Sequence, residues 1–215
     1  MNKSTLFKKF IEYFTENMPV AESELHYKNP YQLLVAVILS AQCTDKRVNI
    51  ITPPFFKVFP DLKSLSKAEV VDIFELIKSC SYPNNKAKNL SGMAKTIVKD
   101  FGGIVPDDYD KLITVPGVGR KTAHVVLSVA FDQNKLAVDT HVHRVSARIG
   151  LTSNAKTPLE TERQLMKYFP EAIVGKAHHW LILHGRYVCK ARKPLCEKCG
   201  ITTICSYFAT SNNIK

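Results

Sequence analysis

Four of the six cysteines in this 215-residue chain crowd into its last thirty residues, and their spacing limits how that end can fold. Cys189 is followed after six residues by Cys196, after two more by Cys199 and after five more by Cys205. Each connecting loop is short enough for all four thiols to converge on one centre. Evenly spread cysteines in a small secreted chain predict disulfides, whereas a tight cluster predicts a metal. Four thiolates suit either a zinc ion or an iron–sulfur cluster. Zinc ribbons usually carry two C-x2-C pairs and this stretch has one, so spacing alone leaves both open. Cys43 and Cys80 stand apart from the cluster and read as packed core thiols.

The rest of the chain reads as helix. Leu6, Phe7, Phe10, Ile11 and Phe14 recur at helical spacing and predict a helix over about 5–14. Asn29-Pro30 is a start signal, and the apolar run from Tyr31 to Ala41 predicts a central buried helix. Pro53-Pro54 is expected to interrupt the next polar stretch. Ser66 and Glu69 predict a capping box for a helix reaching about Lys78. Ser81 to Asn85 reads as a loop, followed by a basic helix that stops at Gly102-Gly103. Short or medium helices are expected over 108–112, 120–130, 139–148, 158–168 and 171–187. No alternating strand pattern, repeat or low-complexity tract interrupts this, so the fold class is all-α.

The formal net charge is +11. Such an excess points to a polyanion, with nucleic acid first, because each neutralised phosphate releases a condensed counterion. No apolar run is long enough for a membrane span, and the first residues lack the pattern of a signal peptide. The expectation is a cytoplasmic, nucleoid-associated protein without a membrane partner, working as a monomer.

Two short strings carry the chemistry. In the first, Leu112 to Ala123, two helices are joined by Pro116-Gly117-Val118-Gly119. Each glycine can take a positive φ and removes bulk. Successive N–H groups can then form an anion nest at the start of the second helix, beside Arg120, and hold a DNA phosphate. Lys121 stands in that helix's first turn. The dipole and Arg120 both oppose a second cation there, which is the direction a nucleophilic amine requires. The second string is Val138-Asp139-Thr140-His141-Val142. Asp139 can cap a helix, and it can also face a site as a carboxylate that steadies a cationic sugar or handles a proton.

The first string resembles the helix-hairpin-helix motif of DNA-repair proteins. Together with Leu39-Ser40-Ala41-Gln42, the aspartate string and the cysteine tail, in that order, it is similar to the endonuclease III family of bifunctional DNA glycosylases and AP lyases. The similarity runs from the first helix to Cys205. It implies that Lys121 and Asp139 are the catalytic pair and that the four cysteines hold a [4Fe–4S] cluster. It also implies a substrate of double-stranded DNA carrying oxidised pyrimidines or abasic sites. Related adenine-mismatch glycosylases lack the lysine. By position, Gln42 and Tyr82 would fill the gap left by a flipped nucleotide. The Tyr82 loop departs from the commonest family pattern: Ser81 stands where glycine is frequent, and Pro83 stiffens the turn. Arg192 and Lys193, between two ligands, would be aimed at phosphate together with Lys190. Lys86, Lys88 and Lys95 on the basic helix face DNA or solvent.

The resemblance implies two helical lobes with a DNA-binding groove between them. Residues 23–133 would form a six-helix bundle carrying the hairpin. Residues 1–22 and 134–215 would form the cluster-bearing lobe. From the residues alone two other functions stay open. One is a monofunctional glycosylase in which Asp139 activates water and Lys121 only binds DNA. The other is a DNA-structure-binding protein without catalysis.

Overall fold

The structure, a computed structural model, describes residues 1–212. All regular structure among the described residues is helical. In chain order the α-helices are α1 (Lys3–Asn17), α2 (Pro30–Ser40), α3 (Asp45–Val58), α4 (Leu62–Ser66), α5 (Val70–Ile77) and α6 (Pro83–Asp100). They continue as α7 (Tyr109–Leu112), α8 (Arg120–Ala130), α9 (Thr140–Ile149), α10 (Pro158–Met166), α11 (Val174–Tyr187) and α12 (Ser206–Asn212). The chain divides into two compact units, Ser23–Gln133 and Met1–Glu22 with the stretch from Asn134 onward. No helix among the described residues is long and apolar enough to cross a membrane.

The unit Ser23–Gln133 is built round α2. The Asn29 side chain caps it by accepting from Gln32 N, with Pro30 in the first turn. Leu33, Leu34, Val35, Ala36 and Leu39 are fully buried, so the helix is apolar on all sides and needs neighbours all round. It packs against α3, α6 and α8. The 18-residue α6 turns Ala87, Leu90, Met93, Ala94 and Ile97 inward and packs on α4 and α5. It stops at Phe101, and Gly102 and Gly103 both take positive φ, 62° and 81°.

Three local expectations fail here for physical reasons. Pro53 and Pro54 lie inside α3 and do not interrupt it. They remove two N–H donors, yet Val48, Ile51, Thr52 and Phe55 around them are buried, and Asn49 is tied to Glu24 O and His26 N. Burial of that face outweighs a proline cost of roughly 3 kcal/mol. The capping box lies at Asp61 and Ser64, opening α4, and Ser66 ends that helix. Glu69 precedes α5 without a side-chain cap. α4 is thus a seventh helix in a unit expected to hold six. The loop at Ser81 is also shorter than expected, since Pro83 opens α6 as its first residue.

The other unit has an aromatic core. α1, capped by Asn2, buries Phe7, Phe10 and Phe14. Phe14 stacks on Trp180 of α11 at 5.8 Å, and Trp180 Nε1 donates to Met18 O at 2.8 Å. α9 packs against α11 and buries Val142, Val145 and Ile149. Glu171–Ile173 is a 3-10 turn that leads into α11, and α10 ends at Met166 before the expected Tyr168.

Candidate active site

The hairpin is seated on α6. Asp108 caps α7, and the chain then tightens through Thr114 N to Lys111 O, Val115 N to Leu112 O and Val118 N to Val115 O. Leu112, Val115 and Val118 are buried and fasten the turn to the core. Gly117 takes φ +80°, and a Cβ there would lie 2.9 Å from Asn89 Cβ. A Cβ on Gly92 of α6 would lie 3.1 Å from Pro116. The turn therefore needs glycine at 117 for both conformation and space. Neither Asn89 nor Gly92 is recognisable in the sequence as the seat of the hairpin, because nothing in a linear string tells which helix a hairpin will lean on.

Gly119 does not use the positive φ open to it. Its backbone is extended, at φ −94° and ψ 178°, a conformation open to any residue. A Cβ on it would meet nothing within 4 Å. What glycine provides here is bare backbone on the outer side, at the N-terminus of α8. That helix starts without a side-chain cap, so its positive end is open to an external anion. Arg120 lies over the Tyr109 ring at 5.8 Å, its Nη1 3.4 Å from Tyr109 Oη. Lys121 follows in the first turn of α8 and is exposed.

Asp139 is the N-cap of α9. Its Oδ1 accepts from the backbone N–H groups of His141 and Val142, both at 2.8 Å. Its Oδ2 lies 3.0 Å from His141 Nδ1. The carboxylate side chain is 13% exposed. Of the two neighbouring histidines, His141 is the one at the carboxylate. His143 turns to Thr161 Oγ1 at 2.7 Å.

Gln42 and Tyr82 share an unusual backbone. Both take left-handed φ, 54° and 53°, and both are exposed. Such conformations cost non-glycine residues about 1–3 kcal/mol and persist only where the surroundings impose them. Lys86, expected to face DNA or solvent, is buried, whereas Lys88 and Lys95 on the same helix are exposed.

The cysteine tail is held from α9. Arg144 donates to the carbonyls of Gly185 and Cys189, and Arg148 to those of Lys190 and Ala191 at 2.7 and 3.0 Å. Arg192 and Lys193 stand exposed on the loop so anchored, with Lys193 at φ 52°. Cys189, Cys196, Cys199 and Cys205 are free and half-buried, and Cys189, Cys199 and Cys205 pack on the aromatic core. Burial pushes the Cys196 thiol up, and Cys205 and Cys189 add to it. Cys199 is raised by burial first and then by the other three thiols. Cys199 Sγ lies 3.7 Å from His184 Nε2. Among the described residues no group of three or more His, Cys, Asp or Glu side chains is arranged to hold a metal ion. The chemistry of the donor set nevertheless fits a thiolate-bound metal group. Four soft donors that repel one another become compatible round a cationic centre, with Arg148 beside them.

A helical bundle ending in a short helix, a Pro-Gly-Val-Gly turn and a second helix defines a helix-hairpin-helix protein. A sequence profile described as "HhH-GPD superfamily base excision DNA repair protein" matches residues 35–171. Endonuclease III of Rickettsia felis is 43% identical over 206 residues, 96% of each chain. Endonuclease III of Synechocystis is 48% identical over 188 residues, 87% of this chain and 85% of the relative. A solved structure of a trapped endonuclease III–DNA covalent intermediate superposes with a TM-score of 0.93 at 37% identity, covering 99% of this chain and all of the other. The chain belongs to the HhH-GPD superfamily of base excision DNA repair proteins and, within it, to the endonuclease III family.

Proposed function

We propose that this chain removes oxidised pyrimidines from double-stranded DNA and cleaves the resulting abasic site through a Schiff base on Lys121. The observation that carries this reading is the position of Lys121, exposed in the first turn of a helix whose uncapped N-terminus adjoins the bare backbone of Gly119. The backbone from Pro116 to Gly119 and Arg120 would hold a phosphate next to the lesion. Lys121 would then sit beside the sugar by construction, not by chance encounter.

The neutral Lys121 amine attacks C1′, and the C1′–N bond to the damaged base breaks, the base leaving with a proton. The sugar ring opens to an iminium. Loss of a proton from C2′ then expels the 3′ phosphate by β-elimination, and water hydrolyses the remaining imine. Asp139 would assist base departure and proton transfer. Its Oδ2 is the oxygen not committed to capping, and His141 Nδ1 orients it. Asp139 has to act on the nucleotide that Lys121 attacks. Gln42 and Tyr82 would enter the stack as the nucleotide leaves it, with Arg192 and Lys193 contacting the backbone.

Cys189, Cys196, Cys199 and Cys205 would hold a [4Fe–4S] cluster. Bound there, it supplies four iron–thiolate links that join the short loops into one rigid body. The chain's own part is to keep Lys190, Arg192 and Lys193 presented, through Arg144 and Arg148. The +11 charge suits a monomer working on the chromosome, in the cytoplasm and nucleoid-associated.

The test is a set of duplexes, each with a single lesion, followed for base release and for strand cleavage. Oxidised pyrimidines should be released and cut on the 3′ side, with iron and acid-labile sulfide in the purified protein. Base release without cutting would shift the reading to Asp139-activated water. Tight binding without either would leave a DNA-structure-binding protein.

A further inference from the structure

Lys86 carries a buried cation that the mechanism above does not use. It is 5% exposed, on the inner face of α6. Its Nζ donates to Leu39 O and Ala41 O, each at 2.7 Å. Cys80 Sγ at 3.2 Å and Ser81 Oγ at 3.4 Å share the remaining direction. A buried ammonium costs several kcal/mol unless its donors are all met, and here the two shortest bonds go to one site. That site is the C-terminal end of α2, where the helix dipole is negative and the last carbonyls lack helical partners.

The acceptors fall on two loops. Leu39 and Ala41 belong to the exit of α2, one residue before Gln42 at the closest. Cys80 and Ser81 immediately precede Tyr82. Ser81 Oγ adds a second tie between the same loops by donating to Gln42 O at 2.6 Å. Cys80 Sγ adds a third, to Leu39 O at 3.3 Å. Gln42 and Tyr82 are both held at left-handed φ. A lysine serving only to fill space would be poorly chosen, because an apolar side chain fills it without a charge to satisfy.

We propose that Lys86 is a positioning residue for opening the duplex, its buried ammonium locking the loop of Gln42 to the loop of Tyr82 so that both side chains meet DNA in a preset arrangement. The proposal rests on the reading of Gln42 and Tyr82 as duplex-contacting residues. It makes the pair a rigid two-point wedge formed before binding, so that little ordering is left to be done on the DNA.

The test compares binding to two duplexes that differ by one stable tetrahydrofuran abasic analogue, with 2-aminopurine opposite it to report unstacking. Neither readout needs Lys121 chemistry, so failure here and failure of the Schiff-base reading stay distinguishable. Lys86→Met should lower the preference for the abasic duplex by about tenfold and abolish the fluorescence rise, while binding to the intact duplex persists through the hairpin. Ser81→Ala, which removes only the outer tie, should shift the preference the same way by less. It decides the matter if Lys86→Met does not fold. Equal loss on both duplexes, or an unchanged preference in both variants, overturns the proposal. Gln42→Ala and Tyr82→Ala run in parallel. If they leave the preference intact, the reading of the loops fails and the proposal with it. If they lower it and Lys86→Met does not, only the role of Lys86 fails.

Discussion

The Asp139 carboxylate has one oxygen in the cap of α9 and the other beside His141. Substitution can separate the two roles. Asparagine caps a helix about as well as aspartate, so Asp139→Asn should leave the thermal midpoint nearly unchanged and lower base release by about 100- to 10,000-fold. Asp139→Ala should lose activity and about 1 kcal/mol of stability together. Calorimetry beside a base-release assay reads both. The two hairpin glycines separate in a similar way. Gly117→Ala forces a left-handed residue against Asn89 and should destabilise by about 1–3 kcal/mol. Gly119→Ala meets nothing inside the protein and should unfold at the parent temperature, yet bind abasic DNA more weakly because its methyl stands where a phosphate would approach. Residue types at these positions were readable from the sequence. Which glycine was strained was not, since that depends on α6 passing behind Gly117.

Helices whose ends are set by local chemistry were the legible ones. Asn29-Pro30, Asp108 and Asp139 each open a helix where the side chain suggests, because a cap needs only its own next three residues. Elements decided by distant packing were not legible. The helix through Pro53-Pro54 is held by the buried face of α3, and the cationic side chain of Lys86 turned out to be a cap for α2. No periodicity argument separates Lys86 from its solvated neighbours Lys88 and Lys95. α11 carries a prediction of its own. Burial, with Arg186 adding to it, lowers His179 from 6.5 to about 4, and burial lowers His184 from 6.5 to about 4. Both are neutral in the fold, while the unfolded chain takes up their protons near 6.5. The unfolded state then binds more protons, so this contribution is present above 6.5 and is lost as pH falls toward 4. Unfolding midpoints measured from neutral pH downward should fall through that window, and His179→Gln should flatten the slope.

At the scale of the whole molecule, the chain has two units with separate cores; Lys121 belongs to one and Asp139 to the other. The chain's net charge is +11, so affinity for DNA should fall steeply with salt. Arg192→Ala and Lys193→Ala should each reduce the slope of log K against log salt by about 0.9 if each meets one phosphate, with little change in lesion preference. An unchanged slope would remove that loop from the interface. The central claim is that Lys121 forms the covalent link. Incubating the protein with an abasic duplex under borohydride and sequencing the adduct by mass spectrometry tests it most directly. One adduct is expected, on Lys121, absent from Lys121→Ala along with strand cleavage. An adduct on another amine, or undiminished cleavage by Lys121→Ala, would contradict it.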